Sequence, residues 1–197
     1  MAGIKSTMDL VMERAARMGT ATPDEMRHEE NLKKGMQYTA EFLNGTQPSM
    51  LAVLNEQEPA QQASIRKGML TSLLRNLFLP RDETGIKRLE QAVQGIIELN
   101  PNIPDIAALC RELRTIATQY GQHRTQLYEQ LKDQMRMQIE QLLMRKGMKA
   151  DSMRIDPTME PQFKDQWARL EMDLDRQYGQ SLEQFKDQLS EWTGMHS

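Results

Sequence analysis

The sequence predicts an all-α protein, a compact N-terminal helical array followed by a long antiparallel helical hairpin. Two hydrophobic seams and a set of helix-ending signals carry that reading. The first seam runs along Ile106, Leu109, Leu113, Ile116, Tyr120, His123, Leu127, Leu131, Met135, Ile139 and Leu142. The second follows Phe163, Trp167, Leu170, Leu174, Tyr178, Leu182, Phe185, Leu189 and Trp192. Steps of three and four place such side chains on one helix face, and two successive amphipathic helices bury their stripes by folding back on each other. In the pairing that fits best, facing residue numbers add to 305, which sets Leu113 against Trp192, Tyr120 against Phe185 and Leu142 against Phe163. Both seams then pass into consecutive steps of four over the same stretch, Leu127, Leu131, Met135 and Ile139 lying opposite Leu170, Leu174, Tyr178 and Leu182. Such a stutter locally unwinds a left-handed supercoil and is tolerated best when both helices carry it together. Flanking charges pair Arg114 with Glu191 and Lys132 with Asp173, while Arg136 meets Arg169.

Shorter helices precede the hairpin. The first is expected from Ser6 to Met18, with Leu10, Val11 and Ala15 on its apolar side and Gly19 as its stop. Thr22-Pro23-Asp24-Glu25 supplies an N-cap, a proline at the first helical position and a glutamate at the third, opening a helix that reaches Leu43 before Asn44-Gly45 closes it. A short helix is expected from Pro48 to Asn55, and another from Pro59 to Leu79 carrying Ile65, Met69, Leu73, Leu77 and Phe78 until Pro80 ends it. The next spans Asp82 to Leu99, with Ile86, Leu89, Val93, Ile96 and Ile97 inside. Asn100-Pro101-Asn102-Ile103-Pro104 then breaks the chain. These signals divide the protein into an array over residues 1–104 and a hairpin over residues 105–197. Gly121 and Gly179, inside the two long helices, are candidate bends or close-packing points, and Gly147 suits the end of the first.

Composition narrows the function. The 197 residues are 39% hydrophobic and 27% charged, a folded profile, and the net charge of -3 gives no global attraction to nucleic acid or an anionic membrane. The lone cysteine, Cys110, cannot form an intramolecular disulfide and fits a reducing compartment as a buried thiol. Charges at Lys5, Asp9, Glu13 and Arg14 interrupt the apolar core that a signal peptide needs, and no apolar run approaches the length of a membrane span, so the cytoplasm is expected. Sixteen methionines favour adaptable apolar contacts; spread from Met8 to Met195 without paired Cys or His ligands, they make a poor copper site.

Chemistry-bearing motifs are sparse. Glu25-Met26-Arg27-His28 has the spacing of one half of a helical di-iron site, but His123 and His196 have Tyr120 and Thr193 three residues earlier, so a second half is missing. Phosphate loops, dinucleotide fingerprints, nucleophile elbows and zinc-protease motifs do not occur in the sequence. No cofactor and no metal are expected, and a metal-dependent helical-bundle enzyme is the least favoured reading. The departure from the surrounding chain lies at residues 142–154, where Arg145, Lys146, Lys149 and Arg154 face one acidic residue and alternate with Met144, Met148 and Met153. Arg145, Lys146, Met148, Lys149 and Arg154 are therefore the candidate partner-binding residues. The expected role is a non-catalytic protein-interaction or scaffolding protein, with another protein as partner and a homo-oligomer compatible with the pattern. The alternative is an adaptor touching nucleic acid or a membrane surface through the basic tip.

The segments Ile4-Lys5-Ser6-Thr7-Met8-Asp9-Leu10-Val11-Met12-Glu13-Arg14 and Arg75-Asn76-Leu77-Phe78-Leu79-Pro80-Arg81-Asp82-Glu83 resemble stretches of small uncharacterised bacterial helical proteins. The resemblance implies a bacterial source and a mostly helical fold. It brings no activity, cofactor or catalytic residue.

Overall fold

The computed structural model describes residues 22–147 and 156–194, all of them in helices, turns or loops. The helix expected over Ser6–Met18 lies outside the described residues. Six α-helices follow in order: α1 (Pro23–Leu43), α2 (Met50–Asn55), α3 (Pro59–Arg75), α4 (Glu83–Leu99), α5 (Pro104–Arg145) and α6 (Pro161–Trp192), with a 3-10 turn at Pro157–Met159 before the last. The all-α class predicted from the sequence is the class observed.

Local chemistry sets the boundaries. The Thr22 hydroxyl accepts from the Glu25 amide while the Glu25 carboxylate accepts from the Thr22 amide at 2.7 Å, the reciprocal capping box expected there. Gly45, at φ 77°, turns the chain out of α1. Helix α2 starts at Met50 rather than Pro48 because Ser49 is its N-cap, its hydroxyl accepting from the Ala52 amide; the Glu98 carboxylate accepts in turn from the Ser49 hydroxyl. Helix α3 ends at Arg75, short of the expected Leu79. There the Asn76 side chain donates to the Ser72 carbonyl, and the chain leaves the helix so that Leu77, fully buried, drops into the core ahead of Pro80. Asp82 caps α4 through the Gly85 amide at 2.7 Å.

Helices α1 and α3 pack unusually closely. A Cβ on Gly35 would stand 2.1 Å from the Ile65 carbonyl oxygen, and one on Gly68 would stand 2.1 Å from the Leu32 carbonyl oxygen. The glycine hydrogens in those places point at the carbonyls, giving weak C–H···O contacts where side chains would force the helices apart. The buried Thr39 hydroxyl bridges the same seam, 3.1 Å from the Gly35 carbonyl and 3.2 Å from that of Met69. Residue numbers rise together along the two helices, His28 meeting Ser64 and Leu32 meeting Gly68, so α1 and α3 run in the same direction. Helix α4 returns antiparallel to α3, with Gly95 against Leu73 and Asn100 near Arg66. Half-buried Arg66 donates to the Asn100 side chain and the Leu99 carbonyl, placing a cation at the negative end of α4.

One apolar core joins all of this to the long helices. It includes Phe42, Met50, Ile65, Met69, Leu73, Leu77, Leu89, Val93 and Ile96 from the array and continues through Ile106, Leu109, Cys110 and Leu113 to Leu182 and Leu189. The core thus crosses residue 104. A second, smaller core of Leu131, Met135 and Phe163, with Tyr128, Trp167 and Leu170 against it, lies farther along α5. Ile86 was expected inside, but it is half exposed because it lies at the open mouth of a cleft described below.

Where α6 meets α5, residue numbers fall along one helix as they rise along the other: the Tyr120 ring is 5.5 Å from that of Tyr178, and the Tyr128 ring is 5.4 Å from Phe163 and 5.0 Å from Trp167. The register differs from the sum of 305. Phe163 shares its core with Leu131 and Met135, not with Leu142, because polar partners described below hold α6 back toward the array. The expected charge pairs change with it: Arg114 pairs with Glu90, and Lys132 and Arg136 pair within α5 with Glu129 and Asp133. Gly121 and Gly179 have nothing within 4 Å of a would-be Cβ, so neither is a close-packing point.

Two outcomes follow for denaturant unfolding. Gly35→Ala or Gly68→Ala should each cost about 3 kcal/mol or more, since the obstacle is backbone, whereas Gly121→Ala and Gly179→Ala should gain up to about 1 kcal/mol each. Leu131→Ala and Leu174→Ala, at 5% and 3% exposure, should each cost about 2–5 kcal/mol, and losses below about 0.5 kcal/mol at both would show that the seam is no core.

Candidate functional site

Two surfaces bear polar or apolar features that packing alone leaves open. The first is a half-open cleft of about 610 Å³ between the start of α4 and the middle of α5. Leu89, Ala117 and Gly121 give it an apolar lining with Ile86 at its mouth, and Arg81, Glu90, Arg114 and Arg124 supply its charges. These charges are already partnered. Arg114 Nε donates to Glu90 at 2.8 Å, and Arg124 donates twice to one Glu171 oxygen, at 2.9 and 2.7 Å, while stacking 5.3 Å from the Trp167 ring. Asp175 accepts from the Tyr120 hydroxyl at 2.6 Å with one oxygen and from Arg81 at 2.5 Å with the other.

This network joins three parts of the chain. Arg81 belongs to the loop after α3, Tyr120 to α5 and Asp175 to α6. Burial, and then the Asp175 carboxylate, push the Tyr120 phenol up to about 12, so it stays a proton donor at every ordinary pH. Sequence reasoning missed these residues. The available signal was that Arg124, Glu171 and Asp175 are charges flanking a seam and Arg81 a charge in the loop after Pro80, which by itself reads as solvated surface.

The second surface is the far end of α5. Helix α6 begins opposite about Met135, so the last turns of α5 run on beyond it. Met137, Leu142 and Met144 are 56%, 55% and 66% exposed there. Arg145 is the last helical residue, and the Lys146 amide closes the helix on the Leu142 and Leu143 carbonyls. Gly147, at φ 73°, makes the stop expected of it. Of the predicted site residues, Arg145 and Lys146 therefore lie together on the exposed helix end, while Met148, Lys149 and Arg154 lie outside the described residues.

The remaining reactive groups are engaged elsewhere. The Glu25 carboxylate is held in the capping box, and His28 Nδ1 is 2.7 Å from the Ser64 hydroxyl, so the Glu25 and His28 pair does not converge on an open metal position. Among the described residues there is no group of three or more His, Cys, Asp or Glu side chains able to hold a metal ion, and no helix is long and apolar enough to cross a membrane. Cys110 is buried in the larger core, where burial pushes its thiol up to about 11.

Fold and surfaces together describe an all-helical protein with charged clefts that are internally paired and an apolar, basic helix end. The chain belongs to DUF6657, a family of unknown function, whose match spans residues 51–191. Neither the curated proteins nor the solved structures give a match.

The raised values of Cys110 and Tyr120 carry a sign for alkaline stability. Both groups are held neutral in the folded state and ionise more readily when unfolded, so their contribution is complete below about pH 9 and is lost as pH rises toward about 12. Unfolding free energy measured from pH 8 to 11 should fall, and Tyr120→Phe should flatten the upper part of that fall. A profile flat to pH 11 would contradict the burial of both groups.

Proposed function

We propose that this chain is a non-catalytic protein-interaction or scaffolding protein of the bacterial cytoplasm that engages an acidic protein partner through the end of α5. The observation that carries the reading is the exposure of Met137, Leu142 and Met144 on the helix end that also carries Arg145 and Lys146 and that outruns its antiparallel neighbour. Exposed methionines suit a surface that accepts apolar side chains of varied shape, and the cations select a partner carrying carboxylates. By sequence, Met148, Lys149 and Arg154 extend the same composition. A reducing compartment suits the single, buried Cys110.

The alternative, an adaptor for nucleic acid or an anionic membrane, uses the same cations and is separated by the test. Changing Arg145, Lys146, Lys149 and Arg154 to glutamine removes four positive charges and alters no residue of either seam, so melting should shift little. Capture of protein partners from the native cell should weaken about tenfold and lose its salt dependence. Leu142→Gln with Met144→Gln should weaken the same partners without altering the salt slope. Retention of every partner by both variants would overturn the reading. Tight binding of the wild type to duplex DNA or to phosphatidylglycerol vesicles, abolished by the quadruple change, would replace it with the adaptor.

A further inference from the structure

We propose that the α5/α6 hairpin has two registers, with α6 able to slide one heptad along α5 toward the hairpin's far end. In the observed register the residues of α5 and α6 that touch have numbers adding to between 291 and 301, with Tyr120 against Tyr178 at 298. The two seams match each other best at 305, one heptad above the Tyr120 and Tyr178 pair. A slide of seven residues keeps the same helix faces together and moves α6 by about 10 Å.

Three observations point to the second register. Leu142 and Trp192, the seam residues at opposite ends of the hairpin, are 55% and 42% exposed, and a sum of 305 sets them against Phe163 and Leu113. The two stutters, Leu127 to Ile139 and Leu170 to Leu182, are out of step in the observed register and come into phase in the other, which lowers the strain of local unwinding. The slide also refills five of the nine α6 seam positions with apolar residues, Leu170, Leu174, Phe185, Leu189 and Trp192 taking the places of Phe163, Trp167, Tyr178, Leu182 and Phe185, while Gln177, Ser181 and His196 take those of Leu170, Leu174 and Leu189.

Polar contacts hold the observed register. After the slide Leu182 stands where Asp175 was, leaving the Tyr120 hydroxyl and Arg81 without their acceptor, and Tyr178 replaces Glu171 beside Arg124. The place of Leu174, buried now, goes to Ser181. Apolar periodicity therefore permits both registers, and the Asp175 and Glu171 contacts choose between them. The device links the array, through Arg81, to the exposure of Leu142 at the far end of α5.

Spin labels at Gln141→Cys and Gln184→Cys, both exposed positions, in a Cys110→Ala background read the register as a distance. Their separation is about 40 Å in the observed register and about 30 Å after the slide, at 1.5 Å of rise per residue. The wild type should show mainly the longer distance with a minor shorter one, and Asp175→Asn with Glu171→Gln should raise the shorter fraction several-fold at unchanged helicity. Leu142→Gln with Trp192→Gln should shrink it, a comparison that stands even if the first pair fails to fold. A single distance near 40 Å in the wild type and in every folded variant would overturn the proposal.

Discussion

Asp175 is the residue on which the placement of the long helices depends. Tyr120 is fully buried, and a buried hydroxyl without an acceptor costs about 1–3 kcal/mol, so α6 must bring an acceptor to that level of α5. Asp175 does so with one oxygen and uses the other for Arg81, which tethers it to the loop between α3 and α4. One carboxylate thereby ties three separate stretches of chain. One turn of helix away, Arg124 and Glu171 repeat the arrangement with Trp167 stacked on the guanidinium. Neither pair is deeply buried, so solvent screens the ion pairs and their effect is on geometry more than on net stability.

Hydrophobic periodicity cannot do that job. A heptad-like stripe looks the same to its partner after a shift of seven residues, so apolar pattern selects faces and leaves level undetermined. That is why the seams read from sequence name the correct faces, with Leu131, Met135, Phe163, Leu174 and Leu189 all buried, yet put Leu142 against Phe163. Directional contacts break the degeneracy, and they involve Arg81 from the array, whose approach to Asp175 on α6 no local pattern announces.

Legibility elsewhere followed the same division. Chain ends governed by short-range chemistry were readable: the Thr22 and Glu25 capping box, the Asn44-Gly45 exit and the Gly147 stop all form as their residues dictate. Elements governed by tertiary packing were not. Leu77 and Phe78 continue an apolar helical pattern, but Leu77 is worth more inserted into the core than kept in the last turn of α3, so the helix ends four residues early. Gly35 and Gly68 carry no local signal, since each sits inside an otherwise ordinary helix. Gly121 and Gly179 look the same in sequence and are open to solvent. Only the partner helix distinguishes the two kinds.

The closeness of α1 to α3 bears on the extent of the domain. The family match begins at residue 51, beyond the end of α1, although α1 contributes Phe42 and Leu43 to the main core and covers the Gly68 face of α3. Without α1, fully buried Ile65 and Met69 would lose the helix packed on them, and the Thr39 bridge to the Met69 carbonyl would vanish. Apolar area of that kind drives association at about 25 cal/mol per Å², so a chain reduced to the matched residues would expose a groove shaped for a helix with a small residue at the crossing. The array is therefore completed by a helix that lies outside the matched segment, and the cooperative unit in this protein is larger than residues 51–191.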